Sequence, residues 1–184
     1  MTKQLKTGAK APTFSVIDVM GTKIDLSDYK DRKVLVVFLR YSGCPWCNLA
    51  IHRLTMEYPL LAQKNCEVIA FIQSDREHIV SNIYERHAKT PPFPIIADAG
   101  RKIYDKYGIK TSVVAMTKSI TKIPFWVHAI KVHGFKQTKL DGEFFLVPAT
   151  FLIDGTTKKI LIAKYGSSFY EHETFTDIYV HLNF

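Results

Sequence analysis

Cysteine is scarce in this chain, and its scarcity excludes several classes of protein. Only three of the 184 residues are cysteines, and two of these lie in one tetrapeptide. A small secreted domain held together by disulfides needs more cysteines than this. A zinc site built from two cysteine pairs needs a second C-x-x-C. The cysteine content therefore favours a reducing compartment, and we expect a cytoplasmic location.

Long apolar runs are also absent. No stretch approaches the roughly 18 consecutive apolar residues of a membrane-spanning helix, and the first six residues are too polar for the core of a secretory signal. We therefore expect neither a membrane association nor a secretory leader. With 47% hydrophobic and 23% charged residues, the composition is typical of a soluble globular protein. The length predicts a single domain over residues 1–184.

The chain has fewer acidic than basic residues: it contains 17 Asp and Glu residues and 25 Lys and Arg residues, and its formal net charge is +8. The chain nevertheless has no dense Lys/Arg block, zinc-finger spacing or aromatic RNA-binding motif. We interpret the charge as a lysine-rich solvated surface and expect no nucleic-acid partner. The chain has no glycine-rich phosphate-binding loop, so we expect no bound nucleotide. Its seven histidines have no zinc-ligand spacing. We therefore expect neither a metal nor an organic cofactor.

Short apolar runs alternate with amphipathic stretches, a pattern that predicts an α/β sheet layered with helices. The predicted strands are residues 12–18, 23–24, 33–39, 68–72, 95–97, 150–153 and 160–163. The predicted helices are a helix from Cys44 that kinks or restarts at Pro59, residues 74–88, residues 99–107 closed by Gly108, and a last helix near 175–182. In the segment 111–142, an amphipathic helix is expected from about Pro124 to His133.

The most informative feature is the tetrapeptide Cys44-Pro45-Trp46-Cys47, which directly follows the apolar strand 33–39. Proline fits the first position of a helix, so the cysteines stand one turn apart at a helix N-terminus, whose field favours thiolate. Cys44 is the candidate nucleophile, exposed to its substrate, and Cys47 the candidate resolving thiol, facing inward. Trp46 is expected to shield one side of the pair and to contact an incoming partner.

Two other interpretations of the cysteines stay open. The pair can form half of a structural zinc site, although only Cys66 is left as a further thiolate. It can also be two small core residues without chemistry. Cys66 itself, beside the strand 68–72, reads as a buried apolar group or as a third redox thiol.

A second candidate element is Val147-Pro148, which precedes the strand 150–153. A proline at the start of a strand can adopt a cis or a trans peptide bond. A cis bond would turn the Val147 backbone toward the cysteine pair, where it could bind an extended partner chain.

Five segments, in this order, resemble one known group of proteins: residues 8–14 (GAKAPTF), 26–30 (LSDYK), 44–47 (CPWC), 93–98 (FPIIAD) and 148–155 (PATFLIDG). The chain resembles the thioredoxin-fold superfamily, specifically the peroxiredoxin-like branch of the alkyl hydroperoxide reductase and thiol-specific antioxidant group, over about residues 8–165. The resemblance implies a thioredoxin-like fold, with a central mixed β-sheet flanked by helices on both faces and an added helical segment near 111–142. It also implies that Cys44 and Cys47 form the active site and that Pro148 is the cis-proline.

The chain departs from the peroxiredoxin signature Pro-x-x-x-Thr-x-x-Cys. Tyr41 stands at the threonine position and Val37 at the proline position. Ser42 and Arg40 are the nearby candidates for a supporting hydroxyl and cation. Dithiol–disulfide exchange needs only the cysteine pair and the cis-proline, and is unaffected by these departures.

The sequence thus predicts a thiol-dependent oxidoreductase that cycles a Cys44–Cys47 disulfide. Its substrate would be a peroxide or a protein disulfide, with electrons returned by a thioredoxin- or glutathione-type reductant. The alternative is a thioredoxin-like binding module or a redox sensor without turnover, which docks a partner through the segment 111–142. A homodimer is compatible with either hypothesis.

Overall fold

The computed structural model describes residues 3–120, 127, 130–169 and 175–182, with the backbone alone for Met116 and Ile120. Its strands are β1 (Ser15–Ile17), β2 (Lys23–Asp25), β3 (Lys33–Leu39), β4 (Cys66–Ile72), β5 (Ile95–Ala97), β6 (Ala149–Asp154) and β7 (Ile160–Tyr165). Its α-helices are α1 (Pro45–Gln63), α2 (Arg76–Ile79), α3 (Lys102–Lys106), α4 (Val113–Ile120) and α5 (Phe175–His181).

Five strands form one mixed sheet in the order β5-β4-β3-β6-β7. Strands β3, β4 and β5 are parallel, whereas β6 pairs antiparallel with both β3 and β7. The hairpin β1-β2 forms a separate two-stranded sheet. The predicted α/β class and mixed sheet are therefore confirmed, and β3 lies at the centre because it is the most continuously apolar strand.

Side chains of β3 alternate between two apolar cores, one on each face of the sheet. Leu35 and Leu39 pack into a cluster that contains α1 residues such as Ile51, whereas Val36 and Phe38 pack into a cluster with aromatic residues of the α3 region. A strand buried on both faces reads as a continuous hydrophobic run. The helices thus cover both faces, as expected.

Several predicted elements differ in detail. Helix α1 continues through Pro59 without a restart. The helix predicted over 74–88 is short: α2 ends at Ile79 and passes into a π-helical turn, Val80–Tyr84. Gly108 closes the α3 region at φ +67°, where a Cβ would meet the Lys3 carbonyl oxygen at 2.7 Å.

The segment 111–142 contains α4, which the sequence did not predict as a separate helix, and a helical stretch over residues 130–133. Of the helix predicted from about Pro124 to His133, residues 124–126 and 128–129 lie outside the described residues. From Gly134 the described chain is irregular rather than helical. Within the part of the chain that the structure describes, no helix is both long enough and apolar enough to span a bilayer.

Candidate active site

The cysteine pair lies where the central strand ends and the longest helix begins. Cys44 has extended backbone dihedrals (φ −78°, ψ 124°) and is the last residue before α1, with Pro45 in the first helical position. The Cys44 N–H donates to the Tyr41 carbonyl oxygen at 3.2 Å, and its own carbonyl oxygen accepts from Asn48 N–H at 3.0 Å. A tight turn therefore presents the first sulfur to the helix N-terminus, as the sequence predicted.

The two thiols are electrostatically different. Burial raises the pKa of Cys44, but a hydrogen bond from the Cys47 thiol, the charge of Arg40 and the N–H groups of Cys47 and Trp46 outweigh burial and lower that pKa to about 6. Burial, reinforced by the hydrogen bond and charge of Cys44, raises the pKa of Cys47 well above its ordinary value. Near neutral pH, Cys44 is therefore the thiolate and Cys47 holds its proton.

Both thiols are buried, which corrects the expectation that Cys44 is exposed. Each cysteine retains 1% of its accessible surface. The cause is a cover segment, residues 134–147, which the sequence pattern did not reveal. Its Thr138 N–H donates to the Gly43 carbonyl oxygen at 3.2 Å, and a Cβ on Gly43 would meet the Thr138 hydroxyl at 2.3 Å. The backbones of the active-site turn and of the cover segment are therefore in direct contact.

Arg40 is the cation of the site, and only 1% of its surface is exposed. Its Nη1 lies 3.5 Å from the Cys44 sulfur, and its Nη2 donates to the carbonyl oxygen of Phe144 in the cover segment. The guanidinium stacks on Phe169, 3.8 Å from the ring centroid. Arg40 therefore faces the thiolate rather than solvent.

Ser42, the other predicted supporting residue, forms its hydrogen bonds with residues other than Cys44. Its hydroxyl donates to Asp141 Oδ2 at 2.8 Å and accepts from Asn82 Nδ2 at 3.0 Å, and its N–H donates to the Ser74 hydroxyl. Asp141 also lies 3.4 Å from His78 Nδ1. The Ser42 hydroxyl thus ties the active-site turn to the cover segment and does not replace the missing threonine beside the thiolate.

Asn48 and His87 were not singled out by the sequence. Asn48 is fully buried, and its Nδ2 donates to the carbonyl oxygens of Ser42 at 2.6 Å and of Cys44 at 3.1 Å. His87 Nε2 lies 2.9 Å from Asn48 Oδ1. The only available signal was that Asn48 follows Cys47 directly on a helix whose neighbouring positions are apolar.

Trp46 and Val147 meet in one small apolar cluster. Trp46 packs against the buried residues Ala115, Val147 and Phe169, and its predicted shielding role stays a prediction. Its indole N–H is buried and has no acceptor among the described residues. The Val147 N–H donates to the Lys110 carbonyl oxygen at 3.3 Å, so it is not free to bind a partner chain in this conformation.

The cis-proline predicted at Pro148 is wrong, since none of the described peptide bonds is cis. Pro148 leads into β6 at Ala149, and its carbonyl oxygen accepts from Gly166 N–H at 2.8 Å. A proline before the first strand residue removes no ladder hydrogen bond, and the trans form is favoured by about 0.5–1 kcal/mol. The turn into β6 is therefore made without the isomer on which the peptide-binding hypothesis depended.

The remaining cysteine, Cys66, lies far from the active-site turn. Cys66 opens β4 in the core, at the opposite end of that strand from the active-site turn, and burial raises its pKa to about 12. Among the described residues, no group of three or more His, Cys, Asp or Glu side chains is arranged to hold a metal ion. The structure therefore sets Cys44 and Cys47 apart as a pair without further ligands in the described chain.

Solved structures of similar fold come from two related classes. The structure resembles that of the peroxidoxin BcpB from Mycobacterium tuberculosis, with a TM-score of 0.67, 16% identity and coverage of 97% of this chain and 96% of that one. It also resembles the thioredoxin domain of a thiol-disulfide oxidoreductase from Bacteroides vulgatus, with a TM-score of 0.61, 21% identity and coverage of 98% and 100%. At these identities the likeness shows the fold, which is thioredoxin-like.

Sequence relatives come from the same two classes. The thiol-disulfide oxidoreductase ResA of Bacillus anthracis is 31% identical over 109 residues, which are 58% of this chain and 60% of that protein. Peroxiredoxin 2 of Caldanaerobacter subterraneus is 29% identical over 119 residues, 63% of this chain and 53% of that protein. The match thus spans less than two thirds of either relative. The AhpC/TSA family model, in contrast, matches residues 7–160, and because this is most of the sequence, the chain belongs to the AhpC/TSA family.

Proposed function

We propose that this protein is a thiol-dependent oxidoreductase that alternates between a Cys44–Cys47 dithiol and a Cys44–Cys47 disulfide. One arrangement carries the proposal: Cys44 precedes α1 with Arg40 Nη1 3.5 Å from its sulfur, Cys47 lies one turn further on, and the pKa values of the two thiols are shifted in opposite directions. A nucleophile must be ionised, whereas a resolving thiol must keep its proton until the nucleophile has reacted. The turn before α1 supplies both states side by side.

The proposed cycle balances with a hydroperoxide as oxidant. The Cys44 thiolate attacks one peroxide oxygen, the O–O bond breaks, and the leaving oxygen takes up a proton to give an alcohol or water and a sulfenic acid on Cys44. The Cys47 thiol then attacks the Cys44 sulfur, forming the disulfide and releasing water. Two electrons and two protons from an external thiol reductant return the pair to the dithiol.

We favour a small hydroperoxide over a protein disulfide as the oxidant. Arg40 Nε–H and Trp46 Nε1–H are buried donors with no acceptor among the described residues. The Arg40 guanidinium contacts the nucleophilic sulfur through Nη1, whereas Trp46 acts on that sulfur through its backbone N–H and not through its indole. Unpartnered buried donors are costly, so an oxygen-bearing substrate that accepts from Arg40 Nε–H would be stabilised close to the thiolate. The backbone N–H of Val147, which an extended protein substrate would need, is already bonded to Lys110.

Disulfide exchange is the second candidate, because several of the sequence relatives are named thiol-disulfide oxidoreductase ResA. A protein disulfide would need the cover segment to open and the Val147–Lys110 hydrogen bond to break. The same dithiol chemistry would then follow on a substrate sulfur instead of a peroxide oxygen.

Stoichiometric oxidation separates the two candidates. The reduced protein is mixed with one equivalent of hydrogen peroxide, and free thiols are counted over time, while insulin reduction is followed in parallel. We expect rapid loss of two thiols and slow insulin reduction. The Cys44→Ser variant should be inert in both assays, and Cys66→Ser is the matched control that should behave as wild type. Thiols that survive peroxide while insulin is reduced would assign disulfide exchange, and inertness in both assays would reject catalysis.

The finer predictions stay proposals. A thioredoxin- or glutathione-type reductant is compatible with a disulfide between residues one helical turn apart, and a coupled assay with each reductant would choose between them. The cytoplasmic location, the single domain over residues 1–184 and a homodimer stay predictions. For the docking alternative, Phe125 and Trp126 of the segment 111–142 lie outside the described residues.

A further inference from the structure

A buried chain of hydrogen bonds lies behind the active-site turn. Asn48 donates both hydrogens of its amide, one to the Ser42 carbonyl oxygen and one to the Cys44 carbonyl oxygen. Its own oxygen then faces His87 Nε2 at 2.9 Å. Because a carbonyl oxygen needs a donor, Nε2 of His87 carries the hydrogen. The chain of bonds therefore runs from His87 through Asn48 to the two backbone carbonyls that flank Gly43.

These two carbonyls carry the negative ends of peptide dipoles. Asn48 fixes both of them through hydrogen bonds from one amide group. The positive ends at this turn, the N–H groups of Trp46 and Cys47, are then the ones that act on the sulfur. Loss of the Asn48 amide would leave the Ser42 carbonyl oxygen without its buried donor and would remove one of the two donors of the Cys44 carbonyl oxygen, which keeps the Asn48 backbone N–H.

His87 is held neutral by its surroundings. Burial lowers the pKa of His87 to about 4, and the charges that act on it are all basic: His52 from α1, Arg86 from its own segment and His133 from the stretch before the cover segment. Its ring stacks on Phe135 of the cover segment, with centroids 4.5 Å apart. Its second nitrogen, Nδ1, has no partner among the described residues.

We propose that Asn48 and His87 are positioning residues that set the reactivity of Cys44 through the carbonyl groups of Ser42 and Cys44. Neither side chain bonds the sulfur directly. The inference rests on the proposed dithiol function and adds two residues that no sequence motif contains. His87 also stacks on Phe135 of the cover segment. The same residue therefore contacts both Asn48, behind the active-site turn, and the cover segment.

The test is a titration of the Cys44 thiolate, followed by its ultraviolet absorbance in the reduced protein. The variants are Asn48→Leu, which removes the amide, His87→Phe, which keeps the ring but removes the donor, and His87→Gln, which restores a donor. We expect the first two to raise the midpoint by about one pH unit, and His87→Gln to bring it back toward wild type. Cys44→Ser identifies the signal as that of Cys44.

Thr55→Val is the matched control, since Thr55 is also buried on α1 and, among the residues that the structure describes, its hydroxyl bonds only the Ile51 carbonyl oxygen. It should lower stability without moving the midpoint, which separates positioning from general loosening of the helix. Should Asn48→Leu not fold, the His87→Phe and His87→Gln pair decides. A low wild-type midpoint that none of the folded variants changes would overturn this inference and leave the dithiol function standing. A wild-type midpoint near 8.5 would instead reject the activated thiolate, and with it both proposals.

Discussion

Arg40→Met is the substitution that best tests how the thiolate is stabilised. The guanidinium lies 3.5 Å from the Cys44 sulfur and is almost completely buried. At an effective dielectric constant of about 20, unit charges at this distance interact by about 5 kcal/mol, or about 3.5 pKa units. This is an upper bound, because the hydrogen bond from Cys47 lowers the pKa of Cys44 more than Arg40 does. We expect a rise of about 1–2 units when the charge is removed.

The assay is the pH dependence of Cys44 alkylation by iodoacetamide. The wild-type rate should reach half its maximum near pH 6, where the pKa of Cys44 lies, and the variant should reach it about 1–2 units higher. Methionine keeps an apolar contact with Phe169, so the variant should fold. Arg32→Met is the matched control, since Arg32 is half exposed and pairs with Glu67 at the surface. An unchanged midpoint in folded Arg40→Met would refute the assignment of Arg40 as the stabilising cation.

Three further predictions concern the cover segment, the third cysteine and acid stability. Thr138→Val removes a hydrogen bond to Asn82 Oδ1, worth about 1 kcal/mol, and should speed alkylation of Cys44 about fivefold at high pH; an equal rate would mean that the cover does not limit access. Cys66, whose pKa burial raises to about 12, should take up iodoacetamide only in denaturant, and mass spectrometry that finds it labelled in the native protein would contradict its burial. Because burial lowers the pKa of His87 from 6.5 to about 4, the unfolded chain binds more protons in that window, so urea-unfolding stability should fall as pH drops from 6.5 to 4. His87→Gln should lack that part of the acid loss, and an identical pH profile would place the titrating groups elsewhere.

The strands and the cysteine pair could be predicted because their signals are local. The run Lys33–Leu39 is recognisable as a buried strand from its own continuous apolar residues. Cys44-Pro45 indicates a helix start because proline is favoured at the first helical position. The same local logic predicted the strands 150–153 and 160–163, which pair antiparallel as β6 and β7. Each of these features depends on residues that are adjacent in the sequence.

The burial of Cys44 and the contacts of Asn48 and His87 could not be predicted, because they join residues that are distant in the sequence. Asn48 and His87 are 39 positions apart, and Thr138 meets the active-site turn from a segment with neither strand nor helix periodicity. The error at Pro148 has a different origin: a family pattern was transferred to a position where the local backbone needs only a trans proline. Ser42 was predicted to support the thiolate, whereas its hydroxyl bonds Asp141 of the cover segment.

The cover segment buries the Cys44 thiolate, and its closure has opposite effects on the stability of that thiolate and on the access of a reductant. Gly142 of the cover segment packs so closely that a Cβ there would meet the Gln73 carbonyl oxygen at 2.4 Å. The closed packing therefore requires glycine at position 142 in the cover segment, as it does at Gly43 in the active-site turn. Closure removes water, which strengthens the attraction between Arg40 and the thiolate, but it also blocks the approach of a bulky reductant. In the proposed cycle the disulfide carries no charge, so oxidation removes the anionic partner of Arg40 while its hydrogen bond to Phe144 is unaffected. We therefore expect the closed cover segment to be less stable in the oxidised protein than in the reduced one, because the attraction between Arg40 and the thiolate is lost.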